Sequence, residues 1–375
     1  MRAMPLAALL ICLAMPATAV AQDLPELMAA CQGESPERAI PACGTLIDSG
    51  RLSGRNLAIA YSNRGNGHNL RGDAARALAD FERAVAIAPE LADVWFNRAN
   101  IHYGRGDYAR SIPDYSEAIR RNPNDMIAYR TRGHAYRGAG DHLRAIADYD
   151  IVIRAQPNDV EALASRGYSR TFLGDHRGAI ADLDAALLLS PQSAEAHKNR
   201  AYAYAGLGDD ERAIVDFDMA VRLNPHDAGA RRWRASAHAR LGHRDEALAD
   251  ARASRRLEPD DPDILNGYCW NVAIVGGDLG DATDACNRSL RLRPGDADTL
   301  SSRGLVRLKQ GRFRDAFADY DAAVRANPDR ADHLYGRGLA ARRLGRTVEA
   351  QADLDRATEL DPGIAARFAR YGVAP

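Results

Sequence analysis

Five cysteines and ten histidines are the residues of this chain best suited to chemistry, and their spacing restricts what they can do. Cys12 falls inside "MRAMPLAALLICLAMPATAVAQD", where Arg2, an apolar run from Leu6 to Met15 and the small residues Ala19 and Ala21 read as an export signal over residues 1–21, cleaved before Gln22. Ile11 is a poor fit to the small residue that a lipoprotein cleavage site wants before Cys12. Cys31, Cys43, Cys269 and Cys286 remain, and an even number in an exported chain favours disulfides over metal ligation. No Cys-x-x-Cys occurs, which counts against a zinc ribbon or a thioredoxin-like redox site. A catalytic thiol would require a placed His–Asp partnership, and none is evident. His68, His102 and His238 are separated by multiples of 34 residues. Other copies of that interval carry Tyr136 and Tyr204 there, so packing between helices is a simpler account than metal binding.

Other chemistry finds no motif. There is no Gly-x-x-x-x-Gly-Lys-Ser/Thr phosphate loop, no His-Glu-x-x-His and no Gly-x-Ser-x-Gly, and "GNGH" at Gly65 falls within a helical pattern. No catalytic residue, metal or cofactor is therefore expected, and the chain reads as a non-enzyme. Net charge is −1 with 27% charged residues of both signs, so no basic field exists to hold nucleic acid or anionic lipid. The apolar core of the signal is shorter than the roughly 20 residues of a membrane span, and no later run is longer. A periplasmic or secreted protein without an integral span is expected.

The interval organises everything else. Prolines recur at Pro89, Pro123, Pro157, Pro191, Pro225, Pro259, Pro294, Pro328 and Pro362, every gap being 34 residues except one of 35. Ahead of each lies a glycine, from Gly72 through Gly277 to Gly345, with a small residue five positions later, such as Ala77, Ala145 or Ala213. Apolar residues at three- and four-residue spacing on both sides of the glycine predict two amphipathic helices per copy. The glycine permits a tight turn, and the proline ends the second helix.

An aromatic residue or Leu, a Gly/Ala, an aromatic, an Ala and a Pro over 34 residues, as in Trp95, Ala99, Tyr115, Ala118 and Pro123, resemble the tetratricopeptide repeat. The resemblance implies an all-α fold, a right-handed solenoid of antiparallel helix pairs that binds peptides or proteins in a concave groove lined by the first helices. Nine units are expected over 58–364: 58–91, 92–125, 126–159, 160–193, 194–227, 228–261, 262–296, 297–330 and 331–364. Residues 22–57 read as a disulfide-closed capping hairpin and linker, and 365–375 as a capping helix that hides the bare face of the last unit. Pro113 lies inside a second helix, where a lost hydrogen bond costs about 3 kcal/mol, so that helix is expected to start late or kink. Pro41 repeats the oddity.

Counting each unit so that its proline is position 32, Arg occupies position 7 and Asp position 23 in eight of the nine. These positions flank the turn almost symmetrically, so the two side chains are placed to pair across the hairpin, or with a neighbouring repeat. Unit 262–296 has Tyr268 and Ala285 instead, and there Cys269 and Cys286 stand at positions 8 and 24, level across the turn. They are expected to bridge, a staple of about 3 kcal/mol for a loop of this size, next to a one-residue insertion in "AIVGGDLGDA". Cys31 and Cys43 in "CQGESPERAIPAC" look like the same device.

If the family geometry holds, positions 2, 5, 9 and 12 of the first helices face the groove. They supply Asn66, Phe96, Asn100, Tyr103, Arg130, His134, Arg137, Tyr168, Lys198, Tyr202, Arg232 and Trp270 as partner-binding residues, with Asn69, Thr171, Asn266 and Tyr335 beside them. Aromatic residues and Arg are what binding hot spots favour. The middle of the groove sets Arg130, Arg137, Lys198 and Arg232 against Glu161 and Glu195, which suits an acidic or carboxylate-bearing segment. The Lys, Asn and Arg arrangement with which some family members clamp a terminal carboxylate is not reproduced position by position. The resemblance thus implies a periplasmic scaffold for protein–protein interaction, or alternatively a docking component of polysaccharide export or modification machinery.

Overall fold

The computed structural model describes residues 24–374, and the expected signal peptide lies outside them. Every regular element among the described residues is an α-helix. None is long and apolar enough to cross a membrane.

The chain forms two compact units, divided after Ala139. The first holds α1 (Leu24–Cys31), α2 (Pro36–Asp48), α3 (Gly54–Leu70), α4 (Ala74–Ile87), α5 (Ala92–Gly104), α6 (Tyr108–Arg121) and α7 (Met126–Gly138). Cys31 and Cys43 lie at disulfide distance, 2.02 Å between sulfurs, and with Leu46 and Ala60 they bury the contact of α1 and α2 on α3. The late start expected of the helix holding Pro113 is not found: α6 begins at Tyr108 and runs through the proline. Asp107 caps it by accepting from the Arg110 N–H at 3.1 Å, and the fully buried Tyr115 holds its later turns, which fixes the start despite the missing donor.

The second unit begins with α8 (His142–Ala155) and continues as α9 (Val160–Phe172), α10 (His176–Leu189), α11 (Ala194–Gly206), α12 (Asp210–Leu223), α13 (Ala228–Leu241) and α14 (Arg244–Leu257). It ends with α15 (Pro262–Val275), α16 (Leu279–Leu292), α17 (Ala297–Lys309), α18 (Phe313–Ala326), α19 (Ala331–Arg343), α20 (Thr347–Leu360) and α21 (Ile364–Arg370). Within it each odd-numbered helix packs against the next helix as an antiparallel hairpin, and successive hairpins stack. A glycine with positive φ makes each turn, 82° at Gly174 and 76° at Gly208, and in these two an aspartate follows that caps the second helix, whereas His243, Arg312 and Arg346 stand there without capping before α14, α18 and α20. Asp175 accepts from the Gly178 N–H at 3.0 Å and Asp209 from the Arg212 N–H at 3.1 Å, satisfying donors that a helix start leaves bare.

Two contacts close each hairpin. Outside units 228–261 and 262–296, a glycine or alanine at position 8 receives a large side chain from position 24; in 228–261 Ala235 faces Ala251. A Cβ on Gly167 would stand 2.7 Å from Leu183, and one on Gly304 2.7 Å from Tyr320, both of which are fully buried. Burying such a side chain contributes about 1.5–3 kcal/mol. The second contact is ionic. Arg200 Nε and Nη2 donate to the two carboxylate oxygens of Asp216 at 2.7 Å each, and the same fork joins Arg64 to Asp80, Arg98 to Asp114, Arg234 to Asp250 and Arg337 to Asp353. These aspartates are buried, Asp216 to 2% exposure, so the pairs are not solvated surface contacts. The remaining Nη1 reaches back to position 25 of the preceding unit, to Asp184 from Arg200 at 2.6 Å and to Asp218 from Arg234 at 2.7 Å. The guanidinium groups of Arg166, Arg200, Arg234 and Arg337 therefore tie their own hairpins shut and join them to the previous ones.

Unit 262–296 does neither by this fork. Cys269 and Cys286 are 2.09 Å apart at their sulfurs, fully buried, and occupy the positions where other hairpins set a small residue against a large one. Tyr268 donates its hydroxyl to Asp281 at 2.5 Å, under an Arg255 guanidinium 3.9 Å from its ring centre that also binds Asp281. The turn glycine is Gly276, with φ 81°, and Gly277 is the extra residue between it and the cap Asp278.

Candidate partner-binding groove

The first helices of the second unit expose one side away from the second helices, and the residues there form a cavity of about 660 Å³ across α9, α11 and α13. Its walls are Tyr168, Thr171 and Phe172 from α9, His176 at the start of α10, Tyr202 from α11, Arg232, Trp233 and Arg240 from α13, and Asp263 from α15. Tyr202 stands edge-on to Trp233 with ring centres 5.5 Å apart, and Phe172 lies 6.1 Å from Tyr168. Phe172 is 68% exposed, so the aromatic wall ends in solvent.

The charges in this cavity differ in how they are held. Arg240 donates from Nε to both oxygens of the buried Asp210, at 3.0 and 2.8 Å. Asp263 is bound by Arg293 at 2.8 Å, and Arg293 holds its carboxyl below the usual range. Lys198, outside the lining, is neutralised by Asp227 at 2.7 Å. Arg232 has no carboxylate within ion-pairing distance among the described residues, and its Nε is buried without a hydrogen-bond partner. Its guanidinium lies 4.8 Å from the Trp233 ring centre, and burial lowers its pKa. The stem packs on α15 where Gly267 leaves room: a Cβ there would come within 2.5 Å of Arg232 Cδ.

Farther along, the same side is covered by the end of the chain. Ile364 and Phe368 of α21 are buried, the Phe368 ring lies tilted 4.9 Å from that of Tyr335, and Tyr371 meets Trp270 edge-on at 5.3 Å. Arg343 donates to the Ala374 carbonyl at 3.1 Å. Trp270 and Tyr335, expected to face a partner, instead face this tail, because two aromatic residues of the chain's own last turn reach them first.

The sequence model of the tetratricopeptide repeat matches residues 71–126, 96–160, 130–170 and 302–363, and a second model of that repeat matches 194–227. Together these cover just over half of the chain. This chain is a tetratricopeptide repeat protein. Similar folds among solved structures include a tetratricopeptide repeat protein from Parabacteroides merdae ATCC 43184, 18% identical, with TM-score 0.52 over 71% of this chain and 98% of that one. Another is the APC/C hetero-tetramer Cut9–Hcn1, 14% identical, with TM-score 0.59 over 90% of this chain and 80% of that one. By sequence no curated protein matches the chain significantly. The family and the stacked hairpins together make the protein an interaction scaffold by fold.

Of the groove positions read from the repeat, the structure brings Tyr168, Tyr202 and Arg232 into one cavity. In the first unit, Asn100 is used within the fold, its Oδ1 accepting from the Tyr115 hydroxyl at 2.7 Å, while Phe96 and Tyr103 lean on Tyr115 and Tyr108. Asn66 is part-exposed on α3, and Arg130, His134 and Arg137 are part-exposed on α7. The histidines at position 11 do not gather: His68 lies 4.0 Å from Asp80, and His238 meets His243 at 3.2 Å. No cluster of three metal-binding side chains occurs among the described residues. Sequence reading missed Phe172, Trp233 and Arg240. Their signal was present, since positions 6 and 13 lie three before and four after position 9 and so share its helix face.

Proposed function

We propose that this repeat protein is a non-enzymatic periplasmic adaptor that holds a partner protein by a segment laid along the inner side of its first helices, with preference for an acidic segment. The observation that carries the reading is the aromatic cavity of α9, α11 and α13, which combines apolar walls with an unpaired guanidinium. Such cavities, mostly apolar with a few placed polar groups, are the usual form of a binding site. The four cysteines, two pairs at disulfide distance, favour an oxidising compartment and so support export. The hetero-tetrameric assembly of the similar Cut9–Hcn1 fold is in keeping with a scaffold.

The test places a photo-crosslinking residue at Tyr202 in the full-length exported chain. Adducts are expected there and not from Val215, which is 67% exposed on α12. Equal adducts from both positions, or none from Tyr202, would remove the groove as the binding surface. Glycan-processing proteins dominating the adducts would favour the polysaccharide alternative.

A further inference from the structure

We propose that the α9–α11–α13 cavity is the anchor of the groove and takes an acidic residue and an aromatic residue two positions apart in an extended partner segment, the carboxylate on Arg232 and the ring among Tyr168, Tyr202 and Trp233. The inference rests on the groove reading above and adds the chemistry of its occupant.

Charge complementarity comes first. A guanidinium whose Nε is buried, with no carboxylate in ion-pairing contact and Asp263 and Asp261 acting only from farther off, favours a carboxylate, and the neighbouring cations Lys198 and Arg240 are already neutralised by Asp227 and Asp210. Asp263 is the one lining carboxylate, and its charge is taken by Arg293 from outside the cavity. Arg232 is also held in place: Trp233 stacks on its head and the bare Cα of Gly267 admits its stem, so an incoming carboxylate meets a preorganised donor.

The second argument is the tail. The same side of the neighbouring first helices already holds two rings from an eleven-residue end segment, Phe368 on Tyr335 and Tyr371 on Trp270. Ring against ring is therefore how this surface is filled where its occupant is visible. The tail sits on Trp270 of α15 and Tyr335 of α19, and none of its residues lines the α9–α11–α13 cavity.

Spacing supplies the third. Arg232 Cζ and the Tyr202 ring stand 4.8 and 5.5 Å from the Trp233 ring centre. Side chains two apart on an extended chain lie on one face, roughly 6.6 Å from each other, which lets one segment use both contacts.

The probe is a short, labelled, amidated peptide carrying Glu-Ser-Phe in a Gly/Ser background, titrated against the full-length protein by fluorescence anisotropy. Replacing its Glu by Gln, or its Phe by Ala, is expected to weaken binding about tenfold or more, the scale of one lost anchor contact. Arg232→Met should erase the Glu/Gln difference, and Tyr371→Ser should leave it in place. Equal binding of Glu and Gln peptides, binding that needs only a free terminal carboxylate, or no binding to the unaltered chain would overturn the proposal. The Glu/Gln comparison needs no variant, so a misfolded Arg232→Met protein does not shelter it. Loss of the peptide preference with Tyr202 cross-links intact sinks this anchor alone, whereas loss of the cross-links sinks the groove.

Discussion

The α11–α12 hairpin and the α15–α16 hairpin solve one packing problem with different bonds. In the first, Ala201 at position 8 receives the fully buried Phe217 from position 24, and Arg200 forks onto Asp216 while holding Asp184 of the previous hairpin. In the second, Cys269 and Cys286 occupy positions 8 and 24 and are joined covalently, and the arginine and aspartate are gone. A disulfide fills less volume than a ring and carries no charge with which to hold the previous hairpin. The link back to α14 is therefore rebuilt from Arg255, which bonds Asp281 and covers Tyr268. Position 25 of the preceding unit, Asp in α10 and α12, is Arg252 here, in keeping with the loss of the arginine it would have faced. The comparison separates two tasks that one arginine performs elsewhere: shutting a hairpin and coupling it to the next.

Removing the ionic clamp or the disulfide should have the largest effect. Asp216→Ala leaves Arg200 with Asp184 alone and frees His197, whose Nδ1 lies 2.9 Å from the same carboxylate, and is expected to cost about 3 kcal/mol, read as a lowered urea midpoint. Cys269→Ala with Cys286→Ala, or a reductant, should cost about 3 kcal/mol through loop entropy alone. The reductant should leave Asp216→Ala no worse than additive, since the sites share no partner. Adding Tyr268→Arg, Ala285→Asp and Arg252→Asp to the cysteine-free chain should recover about 1–2 kcal/mol by restoring charge-assisted hydrogen bonds. No recovery would show that the clamp depends on the ring packing beside it.

The smallest effect concerns a buried histidine whose Nε2 stands 3.9 Å from Asp298 and 4.0 Å from Asp332. His333 on α19 is fully buried, with no hydrogen-bond partner at either ring nitrogen and with Asp298, Asp332 and Arg330 around it. Burial holds its pKa below the ordinary 6.5. The unfolded chain then binds the proton first, so stability should fall as pH drops below about 6.5 and stop falling below the folded pKa. His333→Gln should flatten that slope in thermal melts between neutral and acidic pH, while Asp216→Ala should not.

Much of this was legible because the repeat turns chemistry into register. The hairpins followed from glycine, small residue and proline at fixed spacing, and the Arg–Asp fork from its joint absence in unit 262–296. What stayed hidden depends on contacts outside a single repeat. The reach of Arg200 to Asp184 crosses from one unit to the next, and position 25 carries no obvious pattern until that reach is known. Trp270 reads as a groove residue by register, yet the tail that covers it lies beyond the last proline, where no repeat spacing applies. Arg232 was singled out as one cation among several. Only the placement of Asp227 and Asp210 shows that Lys198 and Arg240 are already matched while it is not.

The fork of Arg200 spans sixteen residues forward to Asp216 and sixteen back to Asp184 of the previous unit, and Arg166, Arg234 and Arg337 repeat both spans. Such parts are interchangeable as far as the fork goes: excising 194–227 would bring Arg234 to Asp184, while Arg240 would lose Asp210. Unit 262–296 is not a spare of this kind. Cutting it out would set Arg252 against Arg303, like charge to like, so it and its predecessor can be lost, copied or transplanted only together.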